Sequence, residues 1–159
     1  MRRFTVCVLL TFAATAALAA DLGHAQGSLT IGSTEVPLTY AYVMDRAHND
    51  LNNRNDATKI ILTDKPLPAG TKLSDVDSNF PEGIFGIVVS MGRDLQQPLH
   101  LVVQHPTGMY DAGWMEPIKD VHVRAKKSNG QMDGHVSVKR VETASVTFGF
   151  DADFTAAVQ

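Results

Sequence analysis

The C-terminal part of the chain alternates apolar and polar residues with a period of two. Hydroxyl and carboxylate side chains, among them Asp151 and Asp153, alternate with the apolar ones. Successive side chains of a β-strand point to opposite faces of a sheet, so the pattern predicts a strand with one buried side. One straight strand of this length would span about 50 Å, so we expect a bend or bulge at Gly149 or near Asp151. The apolar positions are Ala144, Val146, Phe148, Phe150, Ala152, Phe154, Ala156 and Val158.

The rest of the chain repeats this period in shorter segments separated by turn residues. The pattern predicts an all-β fold, an antiparallel β-sandwich or flattened barrel of about seven or eight strands. The segment IFGIVVSM is apolar on both faces, which predicts a central strand covered on both sides by this chain or by another subunit. Pro66 and Pro68 prevent a central strand from continuing beyond KIILTD. We expect at most one short helix, within residues 69–83, and loops over residues 45–58 and 106–117.

The first 20 residues have the composition of an export signal. Arg2 and Arg3 precede a long apolar run, and Ala17-Leu18-Ala19 fits a signal-peptidase site. We therefore expect a signal peptide over residues 1–20, with Gly23-His24-Ala25 as an alternative cleavage point, and a single β domain over residues 27–159. The mature chain would be periplasmic or secreted, without a stable membrane anchor.

Cysteine content and charge exclude several function classes for the mature chain. Cys7 is the only cysteine and lies within the predicted signal, which rules out disulfides, thiol catalysis and cysteine-ligated zinc. Removing Arg2 and Arg3 lowers the 14 basic residues to 12 against 17 acidic ones, a net charge of −5. This balance argues against a nucleic-acid partner, and the scattered Lys and Arg residues form no polybasic membrane-binding segment.

An Asn-Gly pair near the C-terminus predicts a β-hairpin with a known register. With Asn129 and Gly130 at the centre of a type I′ turn, His122 opposes Ser137 and Arg124 opposes His135. The two histidines then share one face as diagonal neighbours, about 7 Å apart at the backbone.

The hairpin histidines raise the question of a zinc or copper site. Catalytic zinc takes three protein ligands, so a third group would have to come from another strand, with His100 or His105 as the candidates. Because these two lie on opposite faces of one strand, only one can join His122 and His135. The alternative is a solvated polar face without a cofactor. The Asp- and Asn-rich segment 45–56 suggests calcium but does not fit the EF-hand spacing.

No motif in the chain specifies catalysis. The stretch VVSMG around Ser90 has valine where a nucleophile elbow needs its first glycine. A Ser-His-Asp set assembled from distant strands stays open, because such sets are defined by geometry and not by sequence order. Asp151 and Asp153 share one strand face, yet nothing apolar nearby would raise the pKa of an acid catalyst, so a solvent-facing role is favoured.

One loop combines aromatic and acidic side chains: Tyr110, Asp111, Trp114 and Glu116. Exposed aromatic rings beside carboxylates suit a sugar ring or a protein interface, so we predict a contact surface for a protein or glycan partner here. In the alternative interpretation, Trp114 turns inward and closes the core.

The order of segments GSLTIGSTEVPLTYAY, KIILTDKPLP, GIFGIVVS and FDADFTAAV resembles that of small exported bacterial β-domain proteins without assigned activity. The resemblance covers most of the mature chain and implies an exported β-domain and no particular chemistry. We expect a non-catalytic binding or interaction module of the cell envelope or secreted space. The alternatives are a protein that binds metal or a small ligand through a histidine cluster, and an envelope hydrolase. The sequence does not distinguish a monomer from an oligomer of this chain.

Overall fold

A computed structural model describes residues 23–45, 56–76, 80–92, 95, 98–112, 118, 120–143 and 146–159. Within these ranges the chain forms nine β-strands and one 3₁₀ turn, Leu73–Asp75. The strands are β1 (Gly23–Ile31), β2 (Thr34–Asp45), β3 (Asp56–Thr63), β4 (Gly86–Gly92), β5 (Pro98–His105), β6 (Gly108–Ala112), β7 (His122–Ser128), β8 (Gln131–Glu142) and β9 (Thr147–Ala157). The all-β prediction is confirmed. No helix in the described ranges is long and apolar enough to cross a membrane.

All nine strands belong to one antiparallel sheet with the order β6-β5-β4-β3-β2-β1-β9-β8-β7. Two meanders, β1 to β6 and β7 to β9, are joined by the ladder between the first and the last strand, in which Leu29 opposes Phe150. In the described part of the chain β6 and β7 are the two edges.

The inner faces of the strands share one apolar core. The predicted alternation in β9 is confirmed, because Phe148, Phe150 and Phe154 are all buried in it. The rings of Tyr110 on β6 and Phe148 on β9 lie 4.9 Å apart although five strands separate β6 from β9 in the sheet. The sheet is therefore rolled on itself as a flattened barrel that is open between its two edge strands.

The outer face of β2 to β5 is covered by the segment between β3 and β4, called the strap here (described residues 64–76 and 80–85). Asp64 and Phe85 close its ends, since the Asp64 N–H donates to Phe85 O at 2.9 Å and the Phe85 N–H donates to Asp64 Oδ1 at 2.8 Å. Val76 of the strap packs with Val88 and Val102 in a second apolar cluster. The chain itself therefore covers both faces of β4, as its apolar sequence predicts.

In the described residues of the segment 69–83, the predicted short helix is reduced to the single 3₁₀ turn. The amide of Val76 bonds to Leu73 O at the end of that turn, and Pro81 and Gly83 follow closely. Lys59 of β3 binds the turn from the sheet side. It is 1 % exposed and donates from Nζ to Ser74 O at 3.0 Å.

The predicted loop 106–117 is wrong over residues 108–112, which form edge strand β6. His105 pairs with Gly108 across a two-residue turn, and Tyr110 pairs with Val103. The alternation is hard to recognise in sequence because the strand has only five residues. Its inward side chains are those of Tyr110 and Ala112, since the third inward position is Gly108. This ninth strand accounts for the difference from the predicted seven or eight.

The irregularity expected at Gly149 lies on the neighbouring strand. The register between β8 and β9 shifts between Val138 and Val141, so that Lys139 and Arg140 together face Gly149. A Cβ at position 149 would lie 2.6 Å from the Lys139 carbonyl oxygen, so this close approach requires glycine.

The residues after β9 join the hairpin turn to β2. The Val158 N–H donates to Gly130 O at 2.8 Å, and the Gln159 N–H donates to Val43 O at 3.0 Å. The Asp45 N–H donates in turn to Gln159 O at 3.1 Å. This end of the chain therefore contributes main-chain hydrogen bonds to two separate parts of the sheet.

Candidate functional site

The hairpin register predicted from Asn129 and Gly130 is confirmed. Both residues have positive φ, 52° and 76°, which is the backbone of a type I′ turn. His122 opposes Ser137 and Arg124 opposes His135.

The two hairpin histidines do not meet at a metal site. His135 Nδ1 lies 3.0 Å from Asp153 Oδ1, and its Nε2 lies 3.9 Å from Asp151 Oδ2, so this ring faces the carboxylates of β9. His122 is exposed on edge strand β7. No group of three histidine, cysteine, aspartate or glutamate side chains in the described ranges could hold a metal ion.

His100, the third residue of the predicted metal set, lies elsewhere in the sheet. It is 2 % exposed on the outer face of β5, and its Nε2 lies 2.6 Å from Asp111 Oδ1 on β6. Five strands lie between β5 and the β8–β7 hairpin in the sheet order, so the structure does not bring His100, His122 and His135 together.

His105 lies on the other face of β5, as strand alternation predicts. Its neighbours at alternate positions, Leu101 and Val103, belong to the inner core. His105 is 6 % exposed, and burial lowers its pKa below the ordinary 6.5. The Thr107 N–H donates to His105 Nδ1 at 3.3 Å, which requires that nitrogen to be unprotonated.

The described members of the aromatic loop point in different directions. Tyr110 faces inward and packs on Phe148, whereas Asp111 faces outward to His100. Trp114 and Glu116 lie outside the described residues. Tyr110 and Asp111 therefore do not form one shared contact surface, and a role for Trp114 and Glu116 stays a prediction.

Serine, histidine and aspartate side chains do come together on the outer face of the sheet. Ser90 on β4 directly opposes His100 on β5, and His100 contacts Asp111 on β6. Lys59 on β3 opposes Ser90 from the other side. These residues are far apart in sequence, and only the strand registers place them in one row.

Burial limits what this row can do chemically. Ser90 is fully buried, and its Oγ has no hydrogen-bond partner among the described residues. An acyl-transfer nucleophile must reach a substrate carbonyl and be deprotonated by a neighbouring base. In the conformation described, Ser90 is closed off from any substrate, and a polar contact within the row joins His100 of β5 to the 44 % exposed side chain of Asp111 on β6.

A groove of about 460 Å³ lies on the outer face of β7, β8, β9 and β1. The groove lies at Gly149, because this residue has no side chain and therefore leaves a gap in the outer layer of side chains on β9. The register bulge places two consecutive basic residues at this interruption. The polar side chains that line the groove include Ser28, His122, Ser137, Lys139, Arg140 and Asp151.

Cross-strand pairing arranges four of these side chains in a line. Asp151 on β9 opposes Ser28 on one side and Ser137 on the other, and Ser137 opposes His122. Such directly opposed side chains are about 5 Å apart at Cβ, so neighbouring members of the line can contact one small ligand together.

The basic side of the groove is formed by the bulge of β8. Arg140 donates from Nε to Glu142 Oε1 at 2.7 Å, which orients its guanidinium, and its other N–H groups give it further donors. Lys139 is exposed beside it. The sequence hint for this site is Gly149, the one residue without a side chain among the polar positions of β9.

A second, smaller depression of about 360 Å³ lies where three turns meet at one end of the barrel. Its lining, residues 31–34, 106, 107, 146 and 147, contains no ionisable side chain. It offers less specific chemistry than the groove on β8 and β9.

No protein-family model matches this chain, and no curated protein or solved structure matches it either.

Proposed function

We propose that this protein is an exported, non-catalytic binding protein whose ligand occupies the groove at Gly149. The observation that carries the proposal is the 460 Å³ groove, in which polar side chains of four adjacent strands converge on one gap in the outer layer. Binding sites of small ligands have volumes in this range and fix their ligands with a few polar groups held on rigid elements.

Export is the second part of the proposal. It is supported by the predicted signal over residues 1–20 and by the start of β1 at Gly23. Cleavage near Ala20 would leave β1 complete. Cleavage after Ala25 would remove His24, which pairs with both Tyr40 and Thr155. We expect N-terminal sequencing of the exported protein to begin between residues 20 and 23. An intact N-terminus in a periplasmic fraction would contradict export through a cleaved signal.

The binding proposal is tested with the mature chain, residues 21–159, labelled with ¹⁵N. A chemically diverse set of small envelope metabolites is added, and the amide resonances of residues 28–32, 137–140 and 147–151 are followed. A ligand that moves these resonances in a saturable way supports the proposal. If no compound moves them while the spectrum is that of a folded protein, the proposal is wrong.

A matched pair of variants localises the binding. Lys139→Ala removes a cation from the groove, whereas Lys126→Ala removes an exposed cation of β7 outside it. Weaker binding by the first variant alone assigns the ligand to the groove. Equal effects of the two variants would point to a general dependence on surface charge.

A hydrolase is the second candidate, favoured by the 2.6 Å contact between His100 and Asp111 beside Ser90. In this case His100 would accept the Ser90 proton while Oγ attacks an ester carbonyl, and opening of the strap would expose Ser90. Mass spectrometry after treatment with a fluorophosphonate tests it. A single adduct that Ser90→Ala abolishes would support hydrolysis, and an unmodified wild-type protein would exclude it.

A further inference from the structure

The two sides of the groove differ in chemistry. At the level of Gly149, β8 contributes Lys139 and Arg140, while β1 contributes the Thr30 hydroxyl on the other side of β9. Two residues further along β9, at the next position on the same face, Asp151 lies between Ser28 and Ser137. Positive charge is therefore concentrated at the β8 side, and hydroxyl groups, the Asp151 carboxylate and the His122 imidazole occupy the rest.

We infer that the ligand of the groove is a small monoanionic, hydroxylated carboxylic acid, of which a single-ring acidic sugar is the simplest example. The inference rests on the proposed binding function. A ligand carboxylate matches the ammonium of Lys139 and the guanidinium of Arg140, because charge-assisted hydrogen bonds are the strongest that such groups make. Ligand hydroxyls match Asp151, which accepts hydrogen bonds, and the Ser and Thr hydroxyls, which donate and accept.

Asp151 sets the charge limit of the ligand. Its side chain is 79 % exposed and lies 3.9 Å from His135 Nε2. It occupies the next outward position on β9 after Gly149, which faces the two cations. A second negative group on the ligand would approach this carboxylate and be repelled, so a phosphate dianion or a dicarboxylate is disfavoured. A neutral sugar would satisfy Asp151 but would offer no carboxylate to the ammonium of Lys139 or to the remaining N–H donors of Arg140, whose Nε already bonds to Glu142.

The size of the groove agrees with one sugar ring. A volume of about 460 Å³ lies in the lower half of the range of ligand sites, which extends from roughly 300 to 1,000 Å³. The same recognition chemistry would accept a free acidic sugar or the terminal acidic residue of a longer glycan. A monomer and an oligomer therefore form separate arms of the test.

The experiment is an NMR titration of the mature protein with D-glucuronate, D-glucose, inorganic phosphate and an oligogalacturonide. We expect glucuronate to move the resonances of residues 28–30, 137–140 and 149–151, with glucose and phosphate at least tenfold weaker. Lys139→Ala and Asp151→Asn should each weaken glucuronate about tenfold, as the loss of one charge-assisted hydrogen bond implies. Lys126→Ala should leave the affinity within twofold.

The outcomes separate this inference from the proposed function. Equal binding of glucose and glucuronate, or tighter phosphate binding that Asp151→Asn improves, would overturn the acidic-sugar class and retain the groove as a binding site. Tighter oligogalacturonide binding would assign the source as a glycan. No response to any of the four probes would overturn the inference, and the proposed function would fail as well only if the wider compound set also left the groove resonances unmoved.

Discussion

The aromatic rings of Tyr110 and Phe148 lie 4.9 Å apart, with an angle of 50° between their planes. Tyr110 belongs to edge strand β6, whereas Phe148 belongs to β9, six places along the sheet order. This contact links edge strand β6 of the first meander to β9 of the second across the barrel interior. It also explains why Tyr110, the first aromatic residue of the predicted contact loop, packs on the core.

We predict that Tyr110→Ala lowers the free energy of unfolding by about 2 kcal/mol, because it removes a half-buried ring from this contact. Tyr110→Phe keeps the ring and should change stability by less than about 0.5 kcal/mol. Urea denaturation followed by tryptophan fluorescence or circular dichroism measures both. Equal stability of the alanine variant and the wild type would show that the contact does not hold β6.

Lys59 should stabilise the strap from within the protein. It is 1 % exposed, and its Nζ donates to Ser74 O at 3.0 Å, so we expect Lys59→Met to cost about 2 kcal/mol and to expose the strap to proteases. Lys65 provides a matched control, because its Nζ donates to another strap carbonyl, Gly83 O, at 2.8 Å but is exposed. Lys65→Met should cost less than about 0.5 kcal/mol. Limited proteolysis within residues 64–85, combined with urea denaturation, distinguishes the two variants.

Two buried hydroxyls should respond in opposite ways to their removal. Ser90 Oγ lacks a hydrogen-bond partner in the described ranges, so Ser90→Ala should leave stability unchanged or raise it by up to about 1 kcal/mol. Thr63 Oγ1 donates to Lys65 O at 2.7 Å, so Thr63→Val should lower stability by about 1 kcal/mol. Thermal denaturation compares them. A clear loss of stability in Ser90→Ala would mean that the hydroxyl has a bonded partner.

His105 should make the protein less stable in mild acid. Burial lowers its pKa in the folded state, whereas the unfolded chain has the ordinary value of 6.5. The unfolded state therefore binds more protons between these two values, and the free energy of unfolding falls as the pH drops below about 6.5. His105→Gln removes this contribution, so its melting temperature should fall less than that of the wild type between pH 7 and pH 5. Parallel pH profiles of the two proteins would contradict the assignment.

Where local pattern determines structure, the sequence was sufficient to predict it. Alternation placed Phe148, Phe150 and Phe154 on the buried side of β9, and the Asn129-Gly130 turn determined every pair of the β7–β8 hairpin. Both predictions depend on short-range geometry, namely the period of the strand and the twist of a two-residue turn.

Where long-range register decides, the sequence was not sufficient. The row of Ser90, His100 and Asp111 depends on how β4, β5 and β6 align, and the connection from β4 to β5 contains no turn motif that determines the offset. The groove depends on a bulge in β8. Lys139 and Arg140 do not indicate this bulge in the sequence, because either residue could occupy a regular strand. Only Gly149 indicated an irregularity, and it lies on the strand opposite the bulge.

The pairing of β1 with β9 has a consequence for the kinetics of folding. His24 and Thr155 are neighbours in this ladder although more than 130 positions separate them in the chain. Contacts of such high sequence separation form slowly, because a long loop must close before any pairing energy is gained. The β1 to β6 meander can pair strand by strand as it is synthesised. The ladder between β1 and β9, which joins the two meanders, can form only after β9 has been made. A chain with this topology therefore stays incompletely folded until its last strand is available.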